Sequence, residues 1–121
     1  MENKKILVVE DNPMNLKLIK SLLEIGKYEV IEAMEATTGI QLAQQHRPDL
    51  ILMDIQLPGM DGLTATRELK KDPELKDIPV VAITAHAMQG DDQKALDAGC
   101  TGYISKPLDT RSFLEKIPQF C

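Results

Sequence analysis

The chain has 121 residues, with 14 Lys+Arg against 19 Asp+Glu and a formal charge of −5. The length suits one domain spanning residues 1–121 with a core of its own, and a hydrophobic share of 43% excludes a disordered composition. The acidic balance argues against a nucleic-acid partner, which calls for a basic stripe. The longest apolar runs, Ile6–Val9 and Leu50–Met53, fall far short of the ~18 residues of a membrane span. The four apolar residues after Met1-Glu2-Asn3-Lys4-Lys5 are too few for a signal peptide. Cys100 and Cys121 form no CxxC pair, which suits a reducing cytoplasm.

In chain order, Ile6–Val9 reads as a first strand, apolar without alternation and so covered on both faces. Asn12 before Pro13 gives an N-cap with proline at N1. Met14, Leu18, Leu22 and Ile25 follow at helical spacing and read as the core stripe of a first helix. Gly26 marks a turn, and Val30–Ala33 a second strand. Ala36, Ile40 and Ala43 give a second helix, with Gly39 read as lying in or near a turn. Leu50–Met53 is a third, fully apolar strand. Leu63, Thr66 and Leu69 mark a third helix that Asp61 is placed to cap. Asp72-Pro73 and Ile78-Pro79 bracket a loop into a fourth strand, Val80–Ile83. Ala95, Leu96 and Ala98 form a small-residue helix closed by Gly99; Tyr103–Ile104 is a fifth strand. Phe113, Leu114 and Ile117 form a short last helix that Pro118 ends.

Five βα units in one domain imply a doubly wound α/β fold: a parallel sheet, right-handed crossovers and helices on both faces. Function in such sheets gathers at the carboxyl ends of the strands. Glu10 and Asp11 follow the first strand, Asp54 the third, Thr84 the fourth, and Ser105-Lys106-Pro107 the fifth. With strands one and three adjacent, the three carboxylates share one mouth and repel. A hard divalent cation or the Lys106 ammonium relieves that repulsion. Carboxylate nucleophile, metal, hydroxyl and lysine are the parts that phosphoryl transfer onto an aspartate requires.

Four segments carry a resemblance. They are Ile6-Leu7-Val8-Val9-Glu10-Asp11-Asn12, Leu50 to Gly62 around Asp54, Ile83-Thr84-Ala85, and Ser105-Lys106-Pro107. In this order and spacing they resemble the receiver domain of two-component response regulators over essentially the whole chain. The wording around them is similar to multistep phosphorelay receivers, of the DivK single-domain type or attached to hybrid histidine kinases. The resemblance implies a (βα)5 flavodoxin-like receiver fold with strand order 2-1-3-4-5. It implies that Asp54 accepts a phosphoryl group from a phosphohistidine. It implies Mg2+ held by Glu10, Asp11, Asp54 and the backbone carbonyl of Gln56. Thr84 is implied to bond the phosphoryl oxygen and Lys106 to pair with the phosphoryl charge, and the Lys106-Pro107 bond is implied to be cis. Tyr103 is implied to be an aromatic switch moving with Thr84, while Gln56 and His86 stand where the family tunes phosphoryl lifetime.

The partners implied are a histidine kinase or histidine phosphotransfer protein and a downstream protein target, with no direct contact to nucleic acid or membrane. Met14, Asn15, Leu18, Leu22 and Lys106-Pro107-Leu108 are the expected partner surface. The chain is expected to be no turnover enzyme, promoting only its own phosphotransfer and dephosphorylation, and, with its last helix cut short, to be a monomer. One rival is a receiver-fold adaptor that works without phosphorylation. A haloacid-dehalogenase-type phosphatase needs a second acid where Gln56 stands, a flavodoxin needs a loop without Glu10-Asp11, and no P-loop motif is present.

Overall fold

The computed structural model describes residues 4–55, 62–84, 91–105 and 110–120. Ten elements alternate: β1 (Lys5–Val9), α1 (Pro13–Ile25), β2 (Glu29–Ala33), α2 (Ala36–His46), β3 (Leu50–Asp54), α3 (Gly62–Lys71), β4 (Val80–Thr84), α4 (Asp91–Ala98), β5 (Gly102–Ser105) and α5 (Thr110–Phe120). The strands form one parallel sheet, as the βα alternation predicts, in the order β2-β1-β3-β4-β5 that the resemblance implies.

The pleat sorts each central strand's side chains onto two faces. Leu7, Val9, Ile51, Met53, Val80 and Ala82 pack with Ala36, Ala43, Ala65, Leu69 and Ala95 of α2, α3 and α4. Ile6, Val8, Leu50, Leu52, Val81 and Ile83 pack with Leu16, Ile19, Leu23, Phe113 and Ile117 of α1 and α5. Covering on both faces is why the runs Ile6–Val9, Leu50–Met53 and Val80–Ile83 are apolar throughout.

The α1 cap forms as the sequence predicts. Asn12 Oδ1 accepts the backbone N–H groups of Met14 at 2.9 Å and Asn15 at 3.2 Å, and Pro13 opens the helix. The stripe assigned to the core does not hold. The buried face of α1 is Leu16, Ile19, Leu22 and Leu23, while Met14 is 81% and Leu18 42% exposed and Ile25 also faces solvent. Of the expected stripe only Leu22 is core.

Gly39 lies inside α2 and not at a turn. It is buried because an ideal Cβ there would stand 2.7 Å from Val9 Cγ2, so its bareness lets α2 press onto β1. Pro118 likewise does not end α5, which runs on to Phe120. Proline removes one donor, the one that would serve the Leu114 carbonyl. The turn persists because the Phe120 ring seats on Gly102, where an ideal Cβ would lie 2.8 Å from it. Gln119 also donates its side-chain amide to the Glu115 carbonyl at 3.3 Å. The monomer expectation rested on a curtailed α5 and loses that support. The Asp61 cap, Ala85, His86, Lys106, Pro107, Leu108 and Cys121 lie outside the described residues. Among the described residues, no helix is long and apolar enough to cross a membrane.

The turn before β4 is tied to α3 by Lys70. Its ammonium donates to the carbonyls of Lys76 at 3.0 Å and Ile78 at 2.8 Å, and its stem lies over Gly99, whose φ of +109° requires glycine. Beside it Cys100 is buried as a free thiol. Burial pushes that thiol above its ordinary 9.0, while the Thr66 hydroxyl and the Lys70 charge pull the other way. Burial lowers Lys70 from its usual value, against the pull of Cys100 and Asp77. A raised thiol pKa in the folded state gives stability that is complete below the unfolded value and is lost as pH climbs above it. Wild-type stability in urea is therefore expected to fall more steeply above pH 9.0 than that of Cys100→Ala. Parallel slopes for the two proteins would contradict the assignment.

Candidate functional site

Parallel pairing of β1 with β3 builds the site. Val9 stands opposite Met53, so the next residues, Glu10 and Asp54, leave the sheet side by side. Glu10 is tied to the neighbouring strand by its N–H donating to the Ala33 carbonyl at 3.0 Å. On the other side Asp54 pairs with Ile83, and Ile55 N–H donates to the Ile83 carbonyl at 3.3 Å. Thr84, the last residue of β4, is thereby placed at the same edge as Asp54, and opposite Ser105 of β5.

The carboxylates of Glu10, Asp11 and Asp54 converge, each offering an oxygen within 4.8 Å of the others. Glu10 is 0% and Asp54 2% exposed, whereas Asp11 stays in contact with solvent. Two ionised carboxylates at that separation repel by on the order of 3 kcal/mol at an effective dielectric near 20. A donor set of carboxylate oxygens without His or Cys fits a hard dication such as Mg2+, which is usually held by one or two carboxylates and keeps waters for the rest. It is a poor match for Zn2+ or a soft metal.

Of the residues predicted to act, the structure brings Glu10, Asp11 and Asp54 together and sets the Thr84 backbone beside them. Gln56 and Lys106 lie outside the described residues, as does the Thr84 hydroxyl. Tyr103 is on β5, opposite Ala82 and 38% exposed. Read from the sequence, Gly62 has no role beyond closing the segment around Asp54. It is buried against the backbone of Asp54 and Ile55; the only signal was its place at the head of α3.

Fold and site together define a parallel α/β domain with an acidic mouth, of a donor set suited to a hard cation, at the ends of its two central strands. The chain belongs to the response regulator receiver domain family, whose profile matches residues 6–118. It is 48% identical over 117 residues to the polar-differentiation response regulator DivK of Brucella anthropi, covering 97% of this chain and 95% of that one. The DivK of Brucella ovis is 47% identical over the same span. Among solved structures, the receiver domain of a sensor histidine kinase from Pseudomonas aeruginosa superposes with a TM-score of 0.92 at 34% identity, over 98% of each chain. That crystal structure holds a magnesium ion coordinated in its active-site cleft. The chemotaxis protein CheY4 of Vibrio cholerae, at 23% identity and a TM-score of 0.93 over 99% of this chain, shares the fold.

The crowded carboxylates carry an expected outcome. Without divalent cations, Asp54→Asn is expected to be more stable than wild type by roughly 1–3 kcal/mol in urea, because a buried like-charge contact is removed. Mg2+ at ten times its dissociation constant is expected to stabilise the wild type by about 1.4 kcal/mol, and Asp54→Asn far less. A variant that gains as much from Mg2+ as the wild type would remove Asp54 from the cation site.

Proposed function

We propose that this protein is a phosphorelay receiver that takes a phosphoryl group from a phosphohistidine onto Asp54 and thereby changes its affinity for protein partners. The observation that carries this is the convergence of Glu10, Asp11 and Asp54 within 4.8 Å at one sheet edge, in a chain of the receiver family. In the step itself, an Asp54 carboxylate oxygen bonds to phosphorus while the phosphorus–nitrogen bond of the donor imidazole breaks. The nitrogen keeps the bonding pair and takes up a proton. Product and reactant are both phosphoryl carriers, so the protein acts as a signalling acceptor and not as a turnover enzyme.

The Glu10, Asp11 and Asp54 carboxylates, with the Gln56 backbone carbonyl, would hold Mg2+, which supplies positive charge against the phosphoryl oxygens. Thr84 is assigned to bond a phosphoryl oxygen through its hydroxyl, and Lys106 to balance the charge as an ammonium. Tyr103, exposed on β5 two strands from Asp54, is assigned to report the change to the surface. Such a switch shifts a population between two states, and phosphorylation contributes only the difference in its affinity for them. Output through protein partners in the cytoplasm is part of this reading, supported by the likeness to relatives named as response regulators.

A histidine kinase or histidine phosphotransfer protein is the donor in this reading. Its docking surface is placed on α1, where Met14 and Leu18 are exposed one turn apart and the Asn12 cap follows directly on Asp11. Leu22, expected there from the sequence, is 4% exposed and belongs to the core.

Two measurements test the reading. With acetyl phosphate and Mg2+, intact mass should show the gain of one phosphoryl group in the wild type and none in Asp54→Asn. No gain, or one that survives the substitution, would sink the assignment. Separately, Met14→Lys with Leu18→Lys is expected to slow transfer from a histidine phosphotransfer donor about tenfold more than transfer from acetyl phosphate. An equal effect on both donors would refute docking on α1.

A further inference from the structure

Gly62 is the first residue of α3 and is buried. An ideal Cβ there would overlap the Asp54 carbonyl oxygen, 2.7 Å from Ile55 Cα and 2.9 Å from the Asp54 carbonyl carbon. These are backbone atoms of a central strand, which cannot rotate aside as a side chain would. The Gly62 N–H also donates to the Ile55 carbonyl, at a long 3.4 Å. The head of α3 therefore rests on the strand end that carries the acceptor aspartate, and only a residue without a side chain fits between them.

A buried polar column fixes Gly62 from behind. The Thr66 hydroxyl, itself 0% exposed, donates to the Gly62 carbonyl at 2.8 Å. Cys100, just before β5, puts its thiol 3.8 Å from the Thr66 oxygen. Cys100 is held in turn by its N–H donating to the Ala95 carbonyl at 3.0 Å. The line Cys100, Thr66, Gly62, Asp54 thus crosses the domain from the α4–β5 turn to the mouth.

We infer that Gly62, backed by Thr66, is a positioning residue for the cation and phosphoacceptor site: it sets where Asp54 stands relative to Glu10 and Asp11. Glu10 is anchored on the opposite side, to Ala33 of β2, and contributes none of the atoms nearest an ideal Cβ at residue 62. A side chain at residue 62 therefore moves Asp54 or α3 without moving Glu10, and the three carboxylates lose their common distance. Residues that orient metal ligands without binding the metal typically cost about 10–100-fold in affinity when changed. The inference rests on the proposed function, since it assumes that Asp54 ligates Mg2+.

The test compares G62A, T66V and G102A with wild type. G102A meets the Phe120 ring at 2.8 Å on another part of the sheet, so it supplies a strained glycine site away from the mouth. Mg2+ alone is titrated and followed by amide resonances, with thermal stability measured in parallel. G62A is expected to bind Mg2+ about tenfold more weakly and T66V about threefold. Phosphoryl acceptance by G62A should recover toward the wild-type rate as Mg2+ is raised to saturation. In metal-free protein, the Asp54 and Ile55 amide resonances should move in G62A. G102A should lose stability and keep its Mg2+ affinity. Wild-type affinity in G62A, or an equal loss in G102A, overturns the inference. If G62A does not fold, T66V decides by the same readouts. A wild-type protein that binds no Mg2+ overturns the functional reading first, and so separates the two failures.

Discussion

The site depends on one constraint: β1 and β3 are adjacent, parallel and in register, with Val9 opposite Met53. Two strands covered on both faces along their middles carry charge at or past their ends. Because they run the same way, Glu10, just after β1, and Asp54, the last residue of β3, emerge at the same edge. Glu10 and Asp54 are therefore neighbours by topology, although 44 positions separate them in the chain. The cost is electrostatic, since nearly buried carboxylates lose water and gain a like-charged neighbour. The return is a cluster of hard oxygen donors that is suited to a dication and does not form elsewhere among the described residues.

The same constraint shapes the helices around the mouth. Where they approach the strand ends, the sequence removes side chains. Gly39 brings α2 onto Val9, immediately before Glu10, and Gly62 brings α3 onto Asp54 and Ile55. Two glycine contacts on one face of the sheet thus pack against both strands of the mouth, and its acidic residues sit on a backbone with little room to relax. Rigid support of this kind is what a site needs if small displacements are to matter.

Much of the fold was legible because its strongest signals are local. Unbroken apolar runs at Ile6–Val9, Leu50–Met53 and Val80–Ile83 mark strands covered twice, and Asn12-Pro13 marks a helix start whatever the tertiary structure. The acidic cluster was legible once strands one and three were placed together. What failed was the choice of helix face. Apolar residues run round more than half of α1, so Met14-Leu18-Leu22-Ile25 and Leu16-Ile19-Leu22-Leu23 both fit a 3.6-residue period. Periodicity supplies the candidates, and the sheet decides which set it covers. Gly39 and Pro118 misled for a related reason. Their conformational costs are about 1 and 3 kcal/mol in a helix interior, and contacts made by partners distant in sequence outweigh them: Val9 for Gly39, Gly102 for the turn containing Pro118.

The misread face of α1 bears on specificity. A helix that needs only Leu16, Ile19, Leu22 and Leu23 to dock on its sheet leaves Met14 and Leu18 without a structural duty. Exposed apolar residues scattered singly are ordinary. Two on successive turns, beginning two residues beyond the cap that follows Asp11, are positioned differently. Methionine adapts its shape to more than one surface, which, under the proposed function, suits a domain that meets a phosphoryl donor and then releases it. Chemistry and recognition then separate by element. Strand ends, held by buried backbone, carry the carboxylates and set what reaction is possible. The solvent face of α1 carries residues that the fold does not require, so under the proposed function it can differ between donors without disturbing the mouth. On this view the identity of the donor is written on α1, and the capacity to accept from any donor is written in the register of β1 with β3.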